Sequence, residues 1–437
     1  MKALLIALAV MTQPADSLPD LSHPWTLQEC TQWAMEHNLS VARQEITREG
    51  RADDKFTADN AWLPSVSASA SQNWSFGRGI GGNNTYESGN SASTGFSLGA
   101  NMNLFDGLAT PNRMKLAALN LDAATADLEK VRNDVRTAVA QAYVQILYNY
   151  EIQDVALEQV NIDSLQVVRL EGLLDAGMAS AAEVSQQKAS LAQSRLTLVQ
   201  AQNNVRSSLL ELAQLLELPR WEGFSVQRPQ VSAQPVLLPS PEDIYADALT
   251  LRPEVKAEQL RLEGTDYAIR IAKANWYPSL SLSGGMGTNY YSTFATQPFL
   301  QQLGNNFSQY VGLSLSIPIF DKFNTRSQVR SARLNRQSQV IQLRQTQQTL
   351  YKEIQQAWNG ASAAQAKLEA ARQAAASAQD AFQLIQAKYE NGKATFTEFS
   401  EARNRLMKAR SDAVQATYEA LFQTRLLDFY RGGALTL

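Results

Sequence analysis

The chain has 437 residues, of which 44% are hydrophobic, only 8% aromatic and 19% charged, with a net charge of −3. That balance offers no basic footprint for nucleic acid. One cysteine, Cys30, and two histidines, His23 and His37, leave almost nothing for a disulfide, a zinc site or histidine acid–base chemistry, so neither an enzyme nor a metal or other cofactor is expected.

Lys2, the apolar run from Ala3 to Met11 and the small Ala15 read as a secretory signal peptide over residues 1–15. No later stretch has the ~18 consecutive apolar residues of a transmembrane helix. A first helix is predicted over Leu27 to Ala61, broken near Asn38. It stops at Trp62-Leu63-Pro64, where proline prevents continuation. Two strands follow, at about 64–75 and 94–105, joined by a Gly/Asn/Ser-rich loop over 77–93. The second strand alternates Phe96, Leu98, Ala100, Met102 and Leu104 with Ser97, Gly99, Asn101 and Asn103. From Ala109 to Asp175 nothing breaks a helix, which predicts a rod of about 100 Å. Gly177 then ends it, and Ser180 begins a return helix running to Leu218.

A Pro-rich linker covers 219–240, with Pro219, Pro229, Pro235 and Pro239, and the pattern then starts again. A helix over 241–275 is broken at Pro253, strands fall at about 278–290 and 309–320 with a loop over 292–307 between them, and long helices follow over about 322–390 and 396–430. Residues 431–437 form a tail. The recurrence extends to individual residues. Trp62-Leu63-Pro64-Ser65 returns as Trp276-Tyr277-Pro278-Ser279, 214 positions later. Leu104-Phe105-Asp106 returns as Ile319-Phe320-Asp321, and Gly177 and Glu183 as Gly392 and Glu398, each 215 later. Two copies of one unit are therefore expected, over 25–218 and 241–430.

The strands carry apolar residues on one face and Ser, Gly and Asn on the other, as in a membrane β-barrel. Four strands cannot close such a barrel, which needs about eight, and lipid does not tolerate open edges. Spanning strands thus require several chains to share one barrel. The soluble alternative is a periplasmic coiled-coil scaffold or adaptor protein, which has no need of paired alternating strands.

The hairpin tips match in their chemistry. Gly177 and Gly392 suit the left-handed residue that ends a helix. Ser180 and Thr395 can cap the next helix, with Glu183 and Glu398 completing capping boxes. Arg326, Arg330, Arg333 and Arg336 form a basic stripe, read either as a solvated face with ion pairs or as a patch favouring anionic cargo or lipid headgroups.

In this order, the recurring unit, Trp-x-Pro-Ser before the first strand, Phe-Asp after the second and Gly-x-x-Ser/Thr-x-x-Glu at the tips resemble the TolC family of outer-membrane efflux proteins, over nearly the whole mature chain. The resemblance implies a mainly α fold with a small β part, in a homotrimer. Long antiparallel helical hairpins form an α-barrel, and four strands per chain contribute to a shared 12-stranded transmembrane β-barrel. It implies a place in the outer membrane of a Gram-negative cell with a large periplasmic portion, including an equatorial region at 219–240. The implied role is passive export of cargo from a periplasmic adaptor (membrane fusion protein) and an inner-membrane transporter of RND, ABC or MFS type.

By the same resemblance the adaptor docks on the tips, here Gly177, Met178, Ala179 and Gly392, Lys393, Ala394. Lys393 departs from the aliphatic residue that family tips often carry. A periplasmic gate would be formed by acidic rings at Glu398 and Glu401, with mutual repulsion raising their pKa values, and by Tyr389. The basic partner that holds this tyrosine in the best-known members falls at Ala394. Capping for Glu398, a solvated surface for Glu401 and seam packing for Tyr389 are the alternatives.

Overall fold

The computed structural model describes residues 21–80, 85–229, 236–292 and 297–435. The expected signal peptide over 1–15 lies outside them. The chain is mainly helical, with one four-stranded antiparallel sheet. In order come α1 (Leu27–His37), α2 (Leu39–Asp59), β1 (Ser65–Ser75), β2 (Arg78–Ile80), β3 (Tyr86–Ser88), β4 (Ser91–Asp106), α3 (Ala109–Asp175) and α4 (Ala181–Leu215). Then follow α5 (Pro241–Leu251), α6 (Pro253–Ala274), β5 (Ser279–Tyr291), α7 (Phe299–Asn305), β6 (Ser308–Ser316), α8 (Asn324–Glu390) and α9 (Phe396–Tyr430). Among the described residues no helix is long and apolar enough to cross a membrane.

The chain divides into two units, one of Met1–Ile46, Asp127–Lys256 and Thr346–Leu437, the other of Thr47–Ala126 and Ala257–Gln345. The second unit contains the sheet, in the order β1-β4-β5-β6, every pair antiparallel. Paired residues share a face. Register therefore places Val66, Ala100, Gly284 and Val311 together on one side, next to a row of Leu98 and Met286. The other side is Ser67, Gly99, Gly285 and Tyr310, next to Ser69, Ser97 and Gly287. β1, β5 and β6 contain no charged residue, and β4 has only Asp106 at its end. Gly285 is needed where it stands, because a Cβ there would lie 2.8 Å from the Tyr310 ring and 3.0 Å from the Leu98 carbonyl.

Three details differ from the sequence expectation. The loop over 77–93 contains a two-stranded ladder, Arg78 with Ser88 and Ile80 with Tyr86. The loop over 292–307 contains α7, clasped to β5 by buried Gln302, which accepts the Tyr291 N–H at 3.1 Å and donates to the Tyr291 carbonyl at 3.3 Å. β6 stops at Ser316 rather than near 320, because Pro318 has no N–H for a further rung.

The first unit packs its helices through small and aliphatic side chains. Ala364 and Leu368 of α8 meet Ala416 and Ala420 of α9. The larger core gathers Trp25, Cys30, Val139, Tyr143, Ile146 and Leu212. Part of the 219–240 linker is tied in here. Trp25 donates its N–H to Ser225 at 2.9 Å, Gln227 donates to the Trp25 carbonyl at 2.8 Å, and the buried Tyr143 hydroxyl lies 3.1 Å and 2.7 Å from the carbonyls of Trp25 and Gln227. Burial pushes the Cys30 thiol pKa up to about 12, so this cysteine is a core residue rather than a nucleophile.

Candidate functional site

The hairpin ends are built by local rules. At the first, Gly177 has φ +73°, and the Met178 N–H reaches back to Leu173 at 2.7 Å. At the second, Gly392 has φ +68°, and Lys393 reaches back to Lys388 at 2.8 Å. These six-to-one bonds close a left-handed helix end, a conformation that costs glycine least. Neither glycine has a neighbour that a Cβ would meet, and Met178 and Lys393 are exposed.

The next helix starts on a hydroxyl at each tip. Ser180 Oγ accepts the Glu183 N–H at 3.2 Å, and the Glu183 carboxylate accepts the Ser180 N–H at 2.8 Å. Thr395 and Glu398 repeat this at 3.3 Å and 2.7 Å. The backbone and hydroxyl bonds from the cap residue hold both carboxyls below the usual range. For Glu398 within one chain this is opposite to the rise expected of a ring of like charges, because its oxygens already accept two hydrogens. Glu401, one turn on, is exposed and lies 3.7 Å from Arg405.

Tyr389 is packed among aromatic rings. It stacks on Phe399 at 4.8 Å and meets Phe396 edge-on at 6.5 Å, while Phe382 closes on Phe399 at 5.7 Å. Burial raises its pKa, Glu183 adds to the rise and Arg169 opposes it. Arg169 of α3 pairs with Glu390 at 3.5 Å, tying the two hairpins beside this cluster.

Sequence reasoning missed the group behind the tips. Asp163 of α3 and Arg403 of α9 form an ion pair with side chains 0% and 2% exposed. Asp163 also accepts from Gln159 at 2.9 Å, Gln187 at 3.1 Å and Ser194. Arg403 donates to Ser190 at 2.7 Å and Ser400 at 3.3 Å. Its signal was an arginine on the inward face of a helix that is otherwise apolar there. The basic stripe lies in the other unit. Arg326, Arg330 and Arg333 are exposed, while Arg336 is half-buried and pairs with Asp266 at 2.8 Å.

The family model described as outer membrane efflux protein matches residues 31–217 and 244–433. The chain belongs to that family. Among curated relatives of this efflux protein, BepC of Brucella suis biovar 1 is 25% identical over 74% of this chain and 68% of its own length. TolC of Escherichia coli K12 is 26% identical over 78% and 71%. The crystal structure of VceC from Vibrio cholerae has the same fold, with a TM-score of 0.78 at 21% identity over 94% of this chain and 96% of that one. Membership makes this an outer-membrane protein with a large periplasmic portion, and the matched span includes the strands as well as the helices.

Proposed function

We propose that this efflux protein is the exit duct of a tripartite pump or type I secretion system. In this reading it passively conducts cargo delivered by a periplasmic adaptor and an inner-membrane transporter of RND, ABC or MFS type. The observation that carries the reading is the sheet. It has one mainly apolar face, one uncharged polar face, and two outer strands, β1 and β6, that pair on one side only. A sheet of that kind is stable in hydrocarbon only if its edges are closed. Three copies of the four-stranded sheet make a homotrimeric barrel of twelve strands, with Ser, Gly and Asn lining a wet lumen. The two helix–strand–hairpin halves are copies of one duplicated unit, so a trimer has sixfold-like walls.

The work comes from the transporter; this chain has only to open. The adaptor docks on the two tips, Gly177-Met178-Ala179 and Gly392-Lys393-Ala394, and Glu398, Glu401 and Tyr389 form the gate. Threefold symmetry would bring three copies of each glutamate together, a ring that attracts and holds cations at the narrow mouth and so obstructs the flow of other ions.

The test is assembly and conductance. The protein should require detergent, run as a trimer and form channels in planar bilayers; a detergent-free monomer would end the duct reading. Glu398→Gln with Glu401→Gln keeps an acceptor for the capping box and removes the gate charge, so conductance should rise. Unchanged conductance would leave these residues as a helix cap and a surface carboxylate. Bulky substitution of Met178 should weaken crosslinking to the adaptor, and undiminished crosslinking would take the first tip out of that interface.

A further inference from the structure

Two strained turns serve no purpose in the gate or the tips. Leu108 has φ +69° and follows Gly107 at +67°; Phe323 has φ +64° and follows Lys322 at +55°. Side chains other than glycine resist this left-handed region because the Cβ crowds the following carbonyl. Both pairs occupy the same place, between a strand and a long helix. The helix start is fixed behind each of them. Asp106 accepts the Thr110 N–H at 3.0 Å and its hydroxyl at 2.7 Å, and Asp321 accepts the Thr325 N–H at 2.7 Å. Both threonines are buried. The turn between is therefore over-determined.

The turn nevertheless leaves its apolar side chains outside. Leu108 is 59% exposed and Phe323 63%, with Phe323 set edge-on to an exposed Phe320 at 5.6 Å. Strain that leaves an apolar residue in the open calls for something to receive it. The level in the molecule says what. Ser279 pairs with both Asp106 and Ser316, so these turns lie just past the last rung of the sheet. The apolar face of the sheet ends there at Leu280 and Leu315. Lys322 and Arg326 stand beside Phe323, both exposed and without an acidic partner among the described residues. Apolar side chains next to bare cations, at the edge of a lipid-facing band, match a phospholipid headgroup layer.

We infer that Leu108 and Phe323 are lipid anchors. They insert into the periplasmic-side leaflet of the outer membrane, and Lys322 and Arg326 bind its headgroup phosphates. The inference rests on the duct reading, since only a membrane-spanning sheet brings lipid to this level. It also explains why a strained turn is kept at both sites, because the turn leaves both side chains in the open.

The test uses the full chain with buried Cys30, its only cysteine, replaced by Ala. The trimer is reconstituted in phosphatidylethanolamine–phosphatidylglycerol vesicles. Nitroxides are placed at Leu108→Cys and Phe323→Cys, with Leu313→Cys on the apolar face and Ser331→Cys on α8 as references. The ratio of oxygen to nickel-chelate accessibility at 108 and 323 should exceed that at 331 by about threefold or more, since oxygen partitions into the apolar phase. Ratios equal to that at 331, or shielding from both reagents by protein contact, would overturn the inference. A nickel-accessible label at 313 would sink the duct reading itself; a lipid-exposed 313 with wet 108 and 323 sinks only the anchors. If Phe323→Cys does not assemble, Phe320→Cys on the same turn takes its place. Lys322→Gln with Arg326→Gln should lower the co-purified phosphatidylglycerol-to-phosphatidylethanolamine ratio about twofold, as lost basic attraction requires. An unchanged ratio would remove the phosphate contact.

Discussion

Asp163 and Arg403, 240 residues apart in sequence, form an enclosed ion pair that joins α3 to α9 behind the hairpin tips. Gln187 and Ser194 of α4 donate to the Asp163 carboxylate, so three helices are held at one point. The pair is not a free gain, because taking two charges out of water costs several kcal/mol per ion. Arg403 Nε and Gln187 Oε1 also have no hydrogen-bond partner among the described residues. What such a pair provides is register: α9 cannot slide against α3 without exposing a bare charge to apolar neighbours.

Breaking this pair one partner at a time is therefore expected to be severe. Asp163→Ala or Arg403→Ala should cost about 3–5 kcal/mol, because the remaining charge stays buried. Amides around Asp163 and Arg403 should then exchange with deuterium more than about a hundredfold faster. Replacing both together, by Leu and Met, should restore most of the protection. Equal loss in the double and single variants would mean that hydrogen bonding, not the lone charge, dominates.

The pair also marks the limit of what could be read in advance. Helix and strand periods are local, so the fold class of long helices with four antiparallel strands was legible from Phe96 to Leu104 and from Ala109 onward. Ser180 with Glu183, and Thr395 with Glu398, lie three residues apart, so their mutual bonds are visible in a short pattern. Asp163 and Arg403 have no such pattern, since only packed helices bring them together. Phe-Asp was seen to recur at 106 and 321, but its work as a helix cap four residues ahead, on Thr110 and Thr325, shows only in three dimensions.

Acid should loosen the tips. The Glu183 and Glu398 carboxyls have folded pKa values below the ordinary 4.5, owing to bonds from Ser180 and Thr395. A depressed carboxyl pKa adds stability that is present above the ordinary value and lost as pH falls through the folded one. Protection of the Ser180 and Thr395 amides, measured against their intrinsic exchange rate at each pH, should therefore be full at neutral pH and fall below about pH 4.5. Glu183→Gln should abolish the pH dependence at Ser180 while keeping part of the protection. An unaltered pH response in that variant would assign it to another group.

Tyr143 joins α3 to the segment that pairs Trp25 with Ser225 and Gln227. Tyr143→Phe keeps the ring in the core but removes the hydroxyl donor. The expected cost is about 1–2 kcal/mol, a neutral hydrogen bond plus two less-satisfied carbonyls. It should appear as faster exchange at the Trp25 and Gln227 amides, with the sheet and tips unaffected. Uniform loss across both units would instead indicate disturbed packing around the ring.

Two glycines with nearly the same backbone angle should respond very differently to alanine. Gly177 has φ +73° with no atom within 4 Å of a built Cβ, so Gly177→Ala meets only the left-handed penalty, about 1–2 kcal/mol. Gly107 has φ +67°, and its Cβ would lie 2.5 Å from the Ala274 carbonyl oxygen and 2.9 Å from Tyr277 Cβ. Backbone cannot step aside as a side-chain end can, so Gly107→Ala must part the start of α3 from the end of α6 or fail to assemble. The expected result is a normal yield of folded protein with a locally protease-sensitive tip for Gly177→Ala, and a strongly reduced yield for Gly107→Ala. Comparable yields would show that the turn after β4 has slack that the distances deny.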